Sequence, residues 1–443
     1  MALTTKPRQE LPAAFREEAL RALSAAQADP GWLAERRREA LARALELPAP
    51  GREEESWRRT DPARFRLERL APGAAGPAPG NDGLDRLLHE FGAAESRGAL
   101  LATWDGATVR READPAVEAA ARFTDFGTAA REHGEVLRRQ LHGGAPVAGL
   151  DHWTALGAAF ATGGGYLRVA RGRSVEAPLW LVHRLPSAGR AVFLHTVLHL
   201  EPGSSATVVE VLQGEDEAGG LAYQSLDVRV EAGAQLRYFR LQELGARTVH
   251  LARERLYLHR DASAEWGWGA LGAAFAKSEM EADLLEEGAR ALLSGFYHGA
   301  GSRHLDHRTF QNHVQGHTTS DLLYKGSLEQ RARSVYAGLI RVHRDAQRSD
   351  AYQANRNLVL SPEARADSIP SLEIEANDVR CTHGATVGQL EEEQLFYLRS
   401  RGLRPSEAAR LIVEGFYEPV FDRLGAEPLR ALARSRLQAR LTL

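Results

Sequence analysis

The amino-acid sequence predicts a mainly β protein whose β core lies between helical segments at the two ends of the chain. Three observations support this prediction. Strand-like runs follow one another from Tyr166 onward, and a related turn recurs between them at a nearly constant spacing. Residues 10–47 and 391–441 instead show the period of amphipathic helices.

The central region consists of short apolar runs separated by polar or glycine-containing turns. The runs include YLRVA, APLWLVHRL, AVFLHTVLHL, ATVVEVLQ, QSLDVRVE, QLRYFRLQEL and RERLYLHR. Aligning Gly203, Gly233, Asp261 and Gly288 gives spacings of 30, 28 and 27 residues. A repeat of this length, made of strands without long helices, is typical of a β-solenoid. Antiparallel sandwiches also have short strands and regular turns, so the pattern alone leaves both folds open.

The segment before this core is predicted to be mainly helical. A helical pattern runs over residues 10–47, and the sequence Asp-Pro-Gly at 29–31 divides it into two helices. Residues 71–83 have the Pro/Gly/Ala composition of a linker. Candidate strands such as ALLATWDGATVR follow, and residues 142–161 are predicted to form one more helical segment.

The segment after the core returns to a helical pattern. A helix is predicted from Glu391 to Arg401 and ends at Gly402, since glycine is the preferred residue just beyond a helix. Pro405 then fits the first turn of a second helix, and a last helix starts at Glu427. The predicted domains are residues 1–165, 166–388 and 389–443.

Composition excludes several classes of protein. The chain has 443 residues with a formal net charge of −3, which provides no basic surface for nucleic acid. Its single cysteine excludes an internal disulfide and a self-sufficient iron–sulfur or zinc-ribbon site. The N-terminal residues have no apolar signal region, and no run of about 18 apolar residues could span a bilayer. We therefore expect a cytoplasmic protein.

The single cysteine, Cys381, lies two residues before His383 in a segment with strand alternation. Residues i and i+2 of a strand point to the same side, so the thiol and the imidazole are predicted to lie side by side. Thiolate and imidazole suit iron, zinc or copper. Because a tetrahedral centre needs about four ligands, the others must come from elsewhere or from another chain.

Other sequence features give weaker evidence for a metal site, a nucleotide site or an enzyme. Five histidines lie between His298 and His317, but their strand spacing is too wide for one ion and there is no HExxH. The segment GAAFAKS at 272–278 lacks the glycine that precedes lysine in a phosphate-binding loop. Parallel β-helices also include carbohydrate enzymes, so a polysaccharide lyase or hydrolase is the alternative function.

Longer strings around the cysteine resemble the SufB/SufD family of iron–sulfur cluster assembly proteins. The strings are DHRTFQNHVQGHTTSDLLYKGSL, YAGLIRVHRDAQRSDAYQANRNLVLS, IPSLEIEANDV, DVRCTHGATVG, LFYLRSRGL and EAARLIVEGF. The resemblance is close from Asp306 to Phe416 and looser elsewhere. The motif CTHGATVG and the lone cysteine resemble the SufD branch more than the SufB branch, although a SufB-like subunit stays an alternative.

This resemblance implies a right-handed parallel β-helix and a non-catalytic scaffold role beside a SufB-like paralogue and a SufC-like ATPase. It implies that the cysteine–histidine pair faces the paralogue and contributes to a shared site for iron or a nascent iron–sulfur cluster. It also implies that the C-terminal helices bind the ATPase through an apolar stripe, which could equally be internal core. We define this stripe as Ile412, Phe416, Tyr417 and Val420. No nucleotide is expected on this chain, and flavin binding and homodimer formation stay open.

Overall fold

The computed structural model describes residues 11–73, 81–94, 96–185, 187–217 and 219–442. The helices are α1 (Glu17–Ala26), α2 (Gly31–Glu46), α3 (Asn81–Glu90), α4 (Pro115–Ala120), α5 (Phe126–Glu132), α6 (Gly134–Gln140), α7 (His152–Phe160), α8 (Glu392–Ser400), α9 (Pro405–Phe421) and α10 (Glu427–Gln438). The strands are β1 (Ala71–Pro72), β2 (Ala99–Trp104), β3 (Ala107–Ala113), β4 (Ala121–Asp125), β5 (Gly165–Val169), β6 (Ser174–Arg184), β7 (Arg190–Leu200), β8 (Ser205–Gln213), β9 (Leu221–Val230), β10 (Gln235–Glu243), β11 (Val249–Leu258), β12 (Ser263–Ala270), β13 (Phe275–Leu284), β14 (Arg290–Gly299), β15 (His304–His313), β16 (Thr319–Leu328), β17 (Arg333–Val342), β18 (Asp350–Val359), β19 (Arg365–Ile374) and β20 (Arg380–Gly388).

Successive strands from β5 onward alternate between two sheets. One sheet has the order β19-β17-β15-β13-β11-β9-β7-β5-β4, and the other has the order β20-β18-β16-β14-β12-β10-β8-β6-β2-β3. Neighbouring strands are parallel from β5 to β19 in the first sheet and from β6 to β20 in the second. The chain therefore winds as a β-solenoid of about eight turns. The β-helix prediction is confirmed, and the antiparallel sandwich is wrong.

The turn residues aligned in the sequence lie above one another in the solenoid. The strands that follow them are in register, so that Gln235 pairs with Ser205 and with Ser263. All four turn residues have left-handed backbones, which favour glycine and tolerate aspartate. Their φ angles are 69° at Gly203, 67° at Gly233, 54° at Asp261 and 78° at Gly288. The repeat thus places one left-handed turn residue at the same position of each successive turn. Because that position restricts the residue type, its period is visible in the sequence.

Helices cover the outer faces of both sheets. Helices α1, α2 and α7 pack on the sheet of odd-numbered strands, where Phe15 and Phe160 meet Phe193, whereas α3 packs on the other sheet. The C-terminal helices pack on the other sheet, where Phe421 meets Phe296 edge to face. Since both faces of most strands are buried, the strands read as nearly continuous apolar runs, as in parallel sheets generally. Among the described helices, none combines the length and the apolar character that crossing a bilayer requires.

Two N-terminal predictions need revision. The ends of the predicted linker at 71–83 are ordered, because Ala71–Pro72 pairs with β7 and α3 begins at Asn81. Residues 74–80 of that linker lie outside the described residues. The single helical segment predicted over 142–161 is wrong, since α7 begins only at His152. Left-handed backbones at His142, Gly143 and Gly144 interrupt it.

Candidate functional site

The last turn of the solenoid is formed by β19 and β20. Within the described residues, β19 pairs only with β17 and β20 only with β18. Each of the two strands therefore has one edge that no other described strand covers. Pro370 lies in β19, where a residue without an N–H group is tolerated because the strand is at an edge. Edges of this kind are templates for pairing with another chain.

Cys381 and His383 lie on β20 and face the same way. The strand register places Cys381 beside Ala351 and His383 beside Gln353. Ala351 and Gln353 are both buried, with 1% and 0% of their surfaces exposed. The thiol and the imidazole thus extend an inward-facing column of side chains by one more layer, at the open end of the solenoid.

The two side chains differ in their surroundings. Cys381 is half-buried and packs against a small apolar cluster that includes Ile340 and Val342. Burial, with a smaller contribution from the Asp350 carboxylate, raises the pKa of the Cys381 thiol. His383 is exposed. The thiol is therefore protonated at neutral pH, and a metal ion that binds it must displace the proton.

Two side chains of metal-binding type, Cys381 and His383, lie at the open end. Among the described residues, no third histidine, cysteine, aspartate or glutamate comes close enough to Cys381 and His383 to form a three-ligand group. Asp350, the acid whose charge acts on Cys381, is held by Arg380, whose Nη2 donates to Oδ2 at 2.8 Å. A closed iron or zinc site at this position requires ligands from outside the described chain.

The last turn also exposes apolar side chains at positions that are buried elsewhere in the solenoid. Ile374 is in register with Val342, which is fully buried, yet Ile374 is 43% exposed. Val387 is in register with the buried Asn357 and is 50% exposed. We call Ile374 and Val387, with Cys381, the open rim of the solenoid. The rim is apolar surface that no later turn covers.

The predicted apolar stripe of α9 divides into two parts. Tyr417 and Val420 are fully buried against the sheet, and the Tyr417 hydroxyl donates to the Tyr297 carbonyl at 2.6 Å. Ile412 and Phe416 are half-buried, and Phe416 packs against the same core. As placed here, Tyr417 and Val420 form part of the core and offer no surface to a partner.

More exposed apolar side chains lie on α8 and at the start of α9. Phe396 is 73% exposed, Tyr397 is 55% exposed and Leu411 is 49% exposed. Their exposure is not evident from the sequence, because α8 is short and has no regular apolar face. The available signal was an adjacent aromatic pair among charged residues in the string LFYLRSR.

Three of the five clustered histidines, His298, His307 and His313, are buried and hydrogen-bonded to hydroxyl groups of the solenoid. His307 lies 3.0 Å from Ser278 Oγ on the preceding turn, and His298 lies 2.9 Å from Ser327 Oγ on the following turn. His313 contacts the hydroxyls of Thr318 and Ser320, both at 2.8 Å. Burial lowers the pKa of His298, His307 and His313 to about 4. These imidazoles are neutral and bridge neighbouring turns by hydrogen bonds.

The segment that resembles a phosphate loop is a turn of the solenoid. Gly272 and Ala273 lie between β12 and β13, and Ala273 has a left-handed backbone with φ 69°. Strand β13 follows directly, whereas a phosphate loop leads into a helix whose N-terminus binds the phosphates.

Comparisons with known proteins agree with this architecture. The family described as "SUF system FeS cluster assembly, SufBD core domain" matches residues 183–416, which is more than half of the chain. The chain belongs to this family of iron–sulfur cluster assembly proteins. The match spans most of the solenoid, the cysteine–histidine pair and α9 as far as Phe416, and it favours iron–sulfur cluster assembly over the carbohydrate-enzyme alternative.

Individual relatives place the chain near the SufD branch of the family. It is 32% identical to "Iron-sulfur cluster assembly protein SufD" of Escherichia coli, over 62% of this chain and 66% of that protein. It is 27% identical to the protein of the same name in Bacillus subtilis, over 94% and 95% of the two chains. A SufBD family protein of Mycobacterium leprae is 29% identical over 62% of this chain and 71% of its own length. The predicted resemblance is confirmed, and the protein is a SufD-like iron–sulfur cluster assembly protein.

Proposed function

We propose that this chain is a non-catalytic scaffold subunit that joins a SufB-like paralogue through the open rim of its solenoid. The observation that carries this proposal is the exposure of Ile374 and Val387 at positions that are buried in every earlier turn of their columns. A second solenoid that placed its own terminal turn here would cover the apolar rim and pair with the free edges of β19 and β20.

The proposal of a metal site shared with the paralogue follows from the number of ligands that this chain offers. Cys381 and His383 offer one thiolate and one imidazole, and the paralogue contributes the remaining ligands of a nascent cluster or an iron ion. Iron and sulfide are the cargo of such a complex. His383 is the stronger candidate ligand because its ring is exposed. Cys381 must first lose a proton that its half-buried position retains.

The ATPase is proposed to bind the hairpin of α8 and α9. These two helices contact each other, and Phe396, Tyr397 and Leu411 offer the most exposed apolar side chains of the hairpin. Ile412 and Phe416 lie at the margin of this surface. Lys325 fixes α9 to the solenoid, since its Nζ donates to the Phe416 carbonyl at 2.6 Å. Movement imposed on the hairpin would therefore be transmitted to β16 in the adjacent sheet.

The test is co-expression with a SufB-like and a SufC-like subunit, followed by assays of iron, acid-labile sulfide and subunit stoichiometry on the purified complex. We expect His383→Ala to lower iron and sulfide by at least half without dissociating the complex. A single exposed imidazole adds little to an interface formed by two strand edges. Cys381→Ser should lower them equally if the thiolate is a ligand, and less if the paralogue supplies the main thiolate. Wild-type levels in the Cys381→Ser/His383→Ala double variant would remove the pair from the mechanism.

The same purified complex tests whether the ATPase binds the hairpin of α8 and α9. Phe396→Asp should reduce recovery of the ATPase subunit several-fold while leaving the solenoid folded, because a charge disfavours burial in an apolar contact. Val109→Asp is the matched control, since Val109 is an exposed apolar residue, at 36%, on the N-terminal strand β3. Full recovery of the ATPase with Phe396→Asp would place its binding surface elsewhere.

A further inference from the structure

A second group of metal-binding side chains lies near the opposite end of the solenoid. His195 is on β7 and Asp227 is on the adjacent strand β9. His142 joins them from the turn between α6 and α7. Their potential ligand atoms all lie within 4.8 Å of one another. All three side chains are buried, with 3%, 4% and 3% exposure for His195, Asp227 and His142.

Hydrogen bonds already orient two of the three side chains. Asp227 Oδ2 accepts from the His142 backbone N–H at 2.7 Å and lies 2.8 Å from His195 Nε2. The imidazole rings of His142 and His195 are 4.8 Å apart, and Phe126 stacks on His195. Nε2 of His142 is buried and has no hydrogen-bond partner. A buried polar atom without a partner is uncommon and requires an explanation.

The backbone that carries His142 is also unusual. His142, Gly143 and Gly144 all have left-handed conformations, with φ angles of 54°, 65° and 80°. Glycine adopts this region freely, whereas histidine does so rarely. Strained residues of this kind concentrate at ligand-binding sites, where the surrounding structure holds them. Here the strained turn brings the imidazole of His142 beside the other two side chains.

We propose that His142, His195 and Asp227 bind one divalent transition-metal ion. Two imidazoles and one carboxylate suit iron, zinc and related ions, and three protein ligands leave at least one coordination position open. When Nε2 of His195 is the ligand atom, the ring binds as a neutral imidazole that carries its proton on Nδ1, and the hydrogen bond between Nε2 and Asp227 is replaced by bonds from both groups to the metal. Nε2 of His142 then gains the partner that it otherwise lacks.

Two arginine side chains, Arg36 and Arg255, lie near the three proposed ligands. The guanidinium groups of Arg36 and Arg255 are close enough to His142 to act on its charge, as is the Asp227 carboxylate. The two guanidinium groups oppose a dication, but Nε and Nη2 of Arg36 are buried without hydrogen-bond partners. They can donate to an anionic fourth ligand such as hydroxide, which offsets the positive charge.

This site is independent of the proposed function. The nearer of its two strands, β9, is separated from β19 by four strands of the same sheet. The experiment therefore uses full-length protein with the Cys381→Ser and His383→Ala substitutions, so that the rim contributes no ligand. After treatment with EDTA, Co²⁺ is titrated into this protein while visible d–d absorption and thermal stability are recorded, and Zn²⁺ is added as a competitor.

We expect one Co²⁺ per chain, a rise in Tm on binding, and displacement by Zn²⁺. Asp227→Asn and His142→Gln should each weaken binding by more than the roughly 10- to 100-fold that follows loss of an outer-shell partner. His298→Gln is the matched control, since it removes a buried imidazole that contacts Ser327 and should leave the affinity unchanged.

Asp227→Asn retains an amide oxygen that can accept from the His142 N–H, so this variant should fold, and circular dichroism checks that it does. Failure of the EDTA-treated protein to bind Co²⁺ stoichiometrically would overturn the proposal. Unchanged affinity in folded Asp227→Asn protein would overturn it as well.

Discussion

One column of register-matched side chains is buried through most of the solenoid and becomes exposed at its C-terminal end. In the sheet of odd-numbered strands, Leu200, Leu258 and Val342 belong to one column of register-matched side chains and are fully buried. Ile374 is the last member of this column and is 43% exposed. The column is apolar except at His313, and it changes from core to surface in its last turn.

The early turns are closed by other parts of the chain. Strands β2 and β3 extend the edge of β6, β4 covers the edge of β5, and the N-terminal helices pack on the outer face. The described residues provide no equivalent beyond β19 and β20. An apolar column that ends at uncovered strand edges is typical of a surface that associates with another chain. The difference between the two ends thus identifies the rim as the proposed interface.

The largest expected effect is a contrast in stability between two positions of this column. Leu258→Ala should lower the free energy of unfolding by about 2–5 kcal/mol, because it leaves a cavity in a closed core. Ile374→Ala should cost about 1 kcal/mol in the isolated chain, since its side chain is already partly in water. Chemical denaturation of both variants measures the difference. Equal losses in the free energy of unfolding would mean that Ile374 is as well buried as Leu258.

Sequence patterns predicted the features that repeat. The left-handed turn at Gly203, Gly233, Asp261 and Gly288 restricts residue type, so its period is visible in the sequence. The strand alternation likewise placed Cys381 and His383 on one face. Both are local consequences of backbone geometry.

Features that depend on packing between distant segments could not be predicted in this way. The apolar spacing of α9 does not show that Tyr417 is buried against Tyr297 while Leu411 remains in water. The metal-binding cluster joins His142, His195 and Asp227, which are distant in sequence. The break at His142 was missed because two glycines after a histidine do not by themselves exclude a helix.

A smaller effect concerns the thiol at the rim. Burial and Asp350 raise the pKa of Cys381, so its alkylation by iodoacetamide should have a pH midpoint above that of the urea-unfolded chain. Asp350→Asn removes the negative charge and should move the midpoint down by a fraction of a pH unit. Rates measured across pH for folded and unfolded protein test both shifts. A folded midpoint at or below the unfolded value would show that the last turn does not shield the thiol.

The central claim is that a SufB-like partner covers the open rim, and Val387→Asp should break that contact without unfolding the chain. Val387 is half exposed, so the charge is tolerated in the isolated subunit but is costly once a partner buries it. We expect affinity for the partner to fall by at least about tenfold, a difference of about 1.4 kcal/mol. Val109→Asp on β3 is again the control and should bind normally.

Hydrogen–deuterium exchange tests this claim most directly. The wild-type chain and Val387→Asp would each be measured alone and with the partner, at concentrations where only the wild type binds. The account predicts that the partner slows exchange of wild-type amides in β19 and β20, and that exchange in β5 to β7 is unchanged. The Val387→Asp variant should show no such protection. Protection of other strands with β19 and β20 unaffected, or equal protection in the variant, would contradict the assignment of the open rim as the interface.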